Sequence, residues 1–267
     1  TMAGLASFGG TAAFIGKVSN DQLGEVFRHD IRTLGVDFDV PAGDNGLPTA
    51  RCLIVVTPDA ARTMSTCLGI AGQLHPDDID PDLAAGTKVL YCEGYIWDID
   101  ITKQAIRKAI EATKAAGNKI SFTLSDAFCV DRHHSEWLEM IDGTIDILFG
   151  NETEIAALTG TDDRNAGMEH LRGKVEVSCL TRSEKGSWID TADETIEIPA
   201  APVEHVVDTT GAGDLYAAGF LYGYTNGYDL ETSGRLGAMA AAEVISHLGA
   251  RPRVRLDELA ADDEDYD

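Results

Sequence analysis

Val207-Asp208-Thr209-Thr210-Gly211-Ala212-Gly213-Asp214 runs directly into Leu215-Tyr216-Ala217-Ala218-Gly219-Phe220, a small-residue stretch of helical character. Two glycines around one alanine at a helix start let consecutive backbone N–H groups converge with no Cβ in the way. The helix dipole adds positive potential at the same point, giving an anion hole that needs neither Lys nor Arg. Asp214 falls in the first helical turn, beside any phosphoryl group held there, and can accept a proton from an attacking hydroxyl. Gly-Ala-Gly-Asp alone would equally suit a Thr/Asp cap with loop glycines. The wider sequence has to decide between them.

Outward from this segment, strand-like apolar runs alternate with helical patterns, the mark of a parallel sheet covered on both faces. Strands are expected over Ala12–Gly16, Lys88–Cys92, Lys119–Leu124, Ile145–Phe149 and Val175–Leu180. Helices are expected over Asp21–Leu34, with Leu23, Val26, Phe27, Ile31 and Leu34 on one face, and over Asp100–Ala116, stopped by Gly117. Two Ala/Gly-rich helices, about Gly213–Tyr224 and Leu230–Leu248, are built for close packing on the sheet or on each other. Thr1–Phe8 reads as part of a small-residue helix. One stretch breaks the alternation: Ala50–Val56 and Arg62–Leu68 flank the turn Thr57-Pro58-Asp59-Ala60-Ala61 and read as an antiparallel hairpin. Such an insertion is a candidate lid or a plain edge hairpin.

The 267 residues carry 21 Lys+Arg against 45 Asp+Glu, a net charge of −24. A surface this acidic repels phosphate backbones and anionic lipid, which argues against nucleic-acid and membrane-surface partners. It does not exclude an anionic ligand at a site with its own positive potential, and the backbone of Gly211–Gly213 offers one. Part of the excess lies in an acidic tail over 257–267, expected to be frayed. The rest would suit a salty habitat. Cys52, Cys67, Cys92, Cys129 and Cys179 form no CxxC pair, so buried thiols in a reducing cytoplasm are expected. Cys129, His133 and His134 lack a second ligand pair and read as a core thiol beside surface histidines. No signal peptide or membrane-length apolar run is evident.

Val207–Asp214 resembles the C-terminal signature of the ribokinase/PfkB family of carbohydrate and nucleoside kinases, and other landmarks fall in the right order. Gly9-Gly10, Gly16-Lys17-Val18-Ser19-Asn20-Asp21 and Gly24 resemble the family's N-terminal signature. Asn151-Glu152-Thr153-Glu154 resembles its NxxE element. Thr181-Arg182-Ser183-Glu184-Lys185-Gly186 resembles its TxGxxG turn, with Ser183 where glycine is usual. Pro48–Arg51 and Arg62–Met64 resemble the lid of the adenosine-kinase-like branch.

The resemblance implies a ribokinase-like α/β/α sandwich with a mostly parallel sheet. Its kinase domain would cover 1–47 and 69–256, with the lid at 48–68. It further implies transfer of the γ-phosphoryl of ATP, with Mg2+, to a primary hydroxyl. Asp214 would be the base, and Gly211, Ala212 and Gly213 would stabilise charge on the transferring group. Thr181, Ser183 and Gly186 would contact the nucleotide. Asn151 and Glu154 would arrange Mg2+ through water, as a strand-end amide and carboxylate suit a hard cation. Asp208, Thr210 and Gly249 resemble a monovalent-cation site, which would take K+. Arg62 could reach the phosphates on lid closure or be a solvated hairpin residue. Gly94 and Tyr95 could line the acceptor pocket or pack a helix entrance. The family begins with a strand, part of the lid and a glycine-rich segment that binds the acceptor's hydroxyls. None of these precedes Thr1, so the chain reads as N-terminally incomplete.

The acceptor is a nucleoside, slightly favoured by the lid, or a free sugar such as ribose, fructose or a keto-deoxy sugar acid. A monomer or a lid-to-lid homodimer is expected. A non-catalytic sugar- or nucleotide-binding regulator is the alternative from another class, and the intact Asp214 speaks against it. A Rossmann dehydrogenase is disfavoured, because no GxGxxG follows a first strand.

Overall fold

The computed structural model describes residues 1–261 and divides into two compact units, Thr1–Leu74 with the segment from Pro199 onward, and His75–Ile198. The first unit opens with α1 (Met2–Ser7), β1 (Ala12–Ala13), α2 (Gln22–Thr33) and β2 (Val36–Asp37). The strand expected over Ala12–Gly16 pairs for only two residues, since its partner β2 is itself two residues long. Asp21 caps α2 by accepting from Gly24 N–H at 2.8 Å. It also accepts from Thr49 N–H at 2.9 Å and Thr49 Oγ1 at 2.6 Å, fixing the root of the hairpin. These bonds from Thr49 and Gly24 hold the Asp21 carboxyl below the usual carboxylate range.

The hairpin forms as expected, from β3 (Arg51–Val56) and β4 (Arg62–Cys67) in six antiparallel pairs. Cys52, Ile54 and Val56 share one face with Thr66, Met64 and Arg62, because residues directly opposite lie on one side. Cys67 pairs with Arg51 and so falls on the other face. Cys67 therefore does not share the apolar face formed by Cys52, Ile54, Val56 and Met64. Cys52 and Cys67 are also exposed, against the expectation of buried thiols that Cys92, Cys129 and Cys179 meet.

The second unit holds α3 (Pro81–Ala85), β5 (Val89–Glu93), α4 (Asp100–Ala115), β6 (Lys119–Thr123), α5 (Ala127–Ile141), β7 (Ile147–Asn151), α6 (Glu152–Thr159), α7 (Arg164–Leu171), β8 (Val177–Thr181), β9 (Ser187–Asp190) and β10 (Thr195–Ile198). Its sheet runs in the order β10-β9-β8-β7-β6-β5. Strands β5 to β8 are parallel, whereas β9 and β10 close the edge antiparallel. Helices α4 and α5 bury Ile106, Ile110, Trp137 and Ile141 with Phe122 and Leu148 of the sheet in one core. His133, expected at the surface, is mostly covered and lies 2.7 Å from Asp98 Oδ1.

The first unit resumes with α8 (Ala212–Asn226), α9 (Leu230–Ile245) and α10 (Leu256–Ala261). Small residues bring α8 and α9 to near backbone contact: a Cβ on Gly219 would lie 2.4 Å from Leu236 O. The acidic tail is helical through Ala261 within α10, and its remaining residues lie outside the described ones. Among the described residues, no helix is long and apolar enough to cross a membrane.

Candidate active site

In the first unit the loop 207–211 turns into α8 through Gly211, whose φ of +87° is left-handed. A Cβ there would meet Ala250 Cα and Cβ at 3.0 Å, so only glycine suits the turn. Ala212 N–H leans toward Thr209 O at 3.3 Å. The first N–H groups of α8 have no partner within the helix and point out of its positive end. A Cβ on Gly213 would meet nothing within 4 Å, so the space before the helix is open. Asp214 stands in this first turn with its side chain 46% exposed, one oxygen accepting from Thr1 Oγ1 at 2.7 Å.

Asp208 braces the same loop. Its carboxylate accepts from Thr210 N–H at 2.9 Å, Thr210 Oγ1 at 2.6 Å and Gly249 N–H at 3.0 Å. Burial pushes this carboxyl upward, but the bonds from Thr210 and Gly249 and the Arg62 charge outweigh it and hold it below the usual range. Arg62, on the inner face of the hairpin, donates from Nη1 to Thr209 Oγ1. The structure thus brings Arg62, Asp208, Thr210, Gly249, Gly211–Gly213 and Asp214 together.

In the second unit the other expected residues gather at the carboxyl ends of the parallel strands, where open α/β sheets bind ligands. Asn151 ends β7 and caps α6, its Oδ1 accepting from Glu154 N–H at 2.9 Å. Glu154 reaches back to Asn151 N–H at 3.0 Å and Nδ2 at 2.8 Å, completing a capping box. Burial raises the Glu154 carboxyl, opposed by the Asn151 N–H, and the nearby Asp126 charge raises it further. Asp126, which caps α5, was not singled out from the sequence, although an Asp after a strand and before a helix is a cap signal.

Thr181 ends β8 directly beside Asn151 in register, which joins the NxxE and TxGxxG elements. Ser183 adopts φ +53°, the left-handed conformation that explains why glycine is usual there. Gly186, at φ 79° and ψ −137°, occupies a region open essentially to glycine alone. Gly94 is packed tightly, and its N–H donates to Ser125 Oγ at 2.9 Å. Trp97 of the same turn enters the core, while Tyr95 stays 54% exposed.

Residues 1–255 match the pfkB family carbohydrate kinase. The crystal structure of adenosine kinase from Sinorhizobium meliloti is 48% identical, with a TM-score of 0.95 over 98% of this chain and 80% of that one. A probable sugar kinase protein from Rhizobium etli is 43% identical, with a TM-score of 0.95 over 98% of this chain and 79% of that one. An uncharacterized sugar kinase from Archaeoglobus fulgidus is 30% identical over 249 residues, 93% of this chain and 96% of its relative. The chain therefore belongs to the pfkB carbohydrate kinase family, phosphotransferases that act on hydroxyl groups of sugars and nucleosides, and has the family's ribokinase-like α/β fold.

Proposed function

We propose that this kinase transfers the γ-phosphoryl group of ATP to the primary hydroxyl of a nucleoside, adenosine or a related ribonucleoside foremost. The observation that carries the reaction is the start of α8, where the left-handed turn at Gly211 sets the positive end of the helix beside the Asp214 carboxylate, with open space at Gly213. Asp214 takes the proton of the attacking hydroxyl, whose oxygen bonds to the γ-phosphorus as the bridging oxygen leaves with ADP. The N–H groups of Gly211 to Gly213 hold the charge spread over the transferring group, and positioning with charge neutralisation suffices for such transfer. Arg62 adds a cation to the same loop.

Thr181, Ser183 and Gly186 shape the nucleotide turn. Asn151 and Glu154 are the residues that would arrange Mg2+ through water, a strand-end amide and a carboxylate being oxygen donors suited to a hard cation. Mg2+ bound there would neutralise charge on the ATP phosphates. Asp208, Thr210 and Gly249 are the proposed surroundings of a monovalent cation such as K+, tested by activity in K+ against Li+.

Two observations support a nucleoside acceptor: the 48% identity to an adenosine kinase and the apolar lid face of Cys52, Ile54, Val56 and Met64. An apolar wall suits a purine, whereas a free sugar needs mostly hydroxyl-directed donors and acceptors. The test is an ADP-release assay with ATP and Mg2+ over adenosine, inosine, ribose, fructose and 2-keto-3-deoxygluconate. Adenosine or inosine should give the highest kcat/KM; a free sugar in first place would overturn the nucleoside assignment alone. Asp214→Asn should lower kcat by roughly two to four orders of magnitude with ATP affinity nearly unchanged. Wild-type turnover in that variant would remove Asp214 as base.

A further inference from the structure

We propose that Thr1 is a positioning residue that sets the rotamer of the Asp214 carboxylate, a role that rests on Asp214 being the proton acceptor. Thr1 is the N-cap of α1, where a threonine oxygen ordinarily accepts from the backbone N–H two or three residues on. It makes no such bond here. Instead its hydroxyl donates to Asp214 Oδ1 at 2.7 Å. The Thr1 side chain is 3% exposed against 46% for Asp214, so the donor is covered while the carboxylate stays open to the site.

Both ends of this bond sit on fixed elements. A Cβ on Gly4 would lie 2.6 Å from Leu215 Cδ1 and 2.8 Å from Ala218 Cβ, so the α1 backbone rests directly on α8. Phe8 stacks on Tyr222 with centroids 5.0 Å apart, and Ser7 Oγ accepts from Leu256 N–H at 3.0 Å.

The alternative rotamer gives the bond its purpose. Asp214 is the third residue of α8, the position from which an acidic side chain folds back onto the N-cap N–H. Glu154 does this at the start of α6. In Asp214 the same movement would turn the base away from the acceptor and cover the Gly211 N–H intended for the phosphoryl group. With Oδ1 held by Thr1, Oδ2 remains free for the proton of the attacking hydroxyl.

The experiment compares Thr1→Val, Thr1→Ser, Asp214→Asn and the double variant Thr1→Val/Asp214→Asn, using steady-state kinetics and thermal melting. Thr1→Val is expected to lower kcat about 10- to 100-fold, the range for a misplaced catalytic group. The acceptor KM should stay within about twofold, since the lost contact is to the base and not to substrate. Thr1→Ser should restore most of kcat. In the Asp214→Asn background, Thr1→Val should change kcat less than about twofold, as expected of residues acting through one another. Wild-type kcat in Thr1→Val, no rescue by serine, or losses that multiply in the double variant would each overturn the inference while Asp214 stands as base. Wild-type kcat in Asp214→Asn would instead remove the base, and the inference with it.

Discussion

Gly211 and Gly213 flank the same alanine yet face opposite demands. At Gly211 the backbone is left-handed and an added methyl would press on Ala250 at 3.0 Å. Gly211→Ala is expected to destabilise by about 1–3 kcal/mol and to lower kcat, as the strained turn relaxes and carries the N–H groups with it. At Gly213 an added methyl meets nothing within 4 Å, and the helical conformation welcomes alanine. Gly213→Ala should therefore melt at or slightly above the wild-type temperature, and, with the phosphoryl group held as proposed, kcat should fall at least tenfold because the methyl enters that space. Thermal melts and ADP release on the two variants check this; an equal loss of stability in both would refute the division. The turn at Gly211–Asp214 was legible in the sequence because the residues that set its geometry are adjacent. The partners of its flanks were not: Thr1 and Asp214 are 213 positions apart, and Arg62 and Thr209 are 147 apart. Only the fold makes such neighbours.

Helix α4 shows why some elements could be read from the chain and others could not. Its buried Thr102, Ala105, Ile106, Ala109, Ile110 and Thr113 keep helical spacing, so the periodicity places it to within a residue. Helix α5 escaped notice because its middle is Asp131-Arg132-His133-His134-Ser135, polar residues around a non-helical φ of −118° at His133. The short edge strands β9 and β10 carry too few residues for any period to show. What ties α5 to α4 is Glu136, which accepts from Lys103 Nζ at 2.8 Å, Trp97 Nε1 at 3.1 Å and Arg107 Nη2 at 3.0 Å. The Lys103 bond, against some desolvation and with help from Trp97 and Arg107, brings its carboxyl down to about 2. A depressed carboxylate stabilises the fold above its unfolded value of 4.5 and loses that contribution as pH falls toward 2. With the side chain 39% exposed, solvent screening reduces the effect to about 1 kcal/mol. Glu136→Gln should thus melt lower than wild type at pH 7, the gap narrowing between pH 4.5 and 2; a gap constant with pH would make the pair energetically silent. The hairpin β3–β4 is different in kind, with exposed residues on both faces and Arg62 donating to Thr209 in the loop before α8. If it is the lid, the acceptor should slow hydrogen exchange across 50–68 more than ATP alone does. Exchange unchanged by the acceptor would make it a fixed edge.

Across the whole chain the charges set a condition on stability that no single pair controls. If every one of the 21 Lys and Arg residues neutralised one acid, 24 of the 45 acidic groups would still be uncompensated. Folding draws these groups together, so their repulsion opposes the compact state. Salt acts on both sides of this balance. It weakens exposed ion pairs such as Lys119 with Glu176 or Arg235 with Glu231, each worth no more than about 1 kcal/mol. It also shortens the reach of the acid–acid repulsion from about 10 Å at 0.1 M to about 3 Å at 1 M. The excess is spread over the chain, so repulsive pairs outnumber attractive ones at these separations and screening should favour folding. Raising NaCl from 0.1 to 1 M is expected to raise Tm by roughly 2–6 °C, corresponding to about 1–2 kcal/mol for a protein of this size. The rise should already be about half complete near 0.3 M, because screening changes fastest at the low-salt end of the range, whereas general solute exclusion would add stability steadily up to 1 M. A Tm that stays flat or falls over this range would mean that the attractive pairs dominate, and that the acidity has no bearing on how the fold is held.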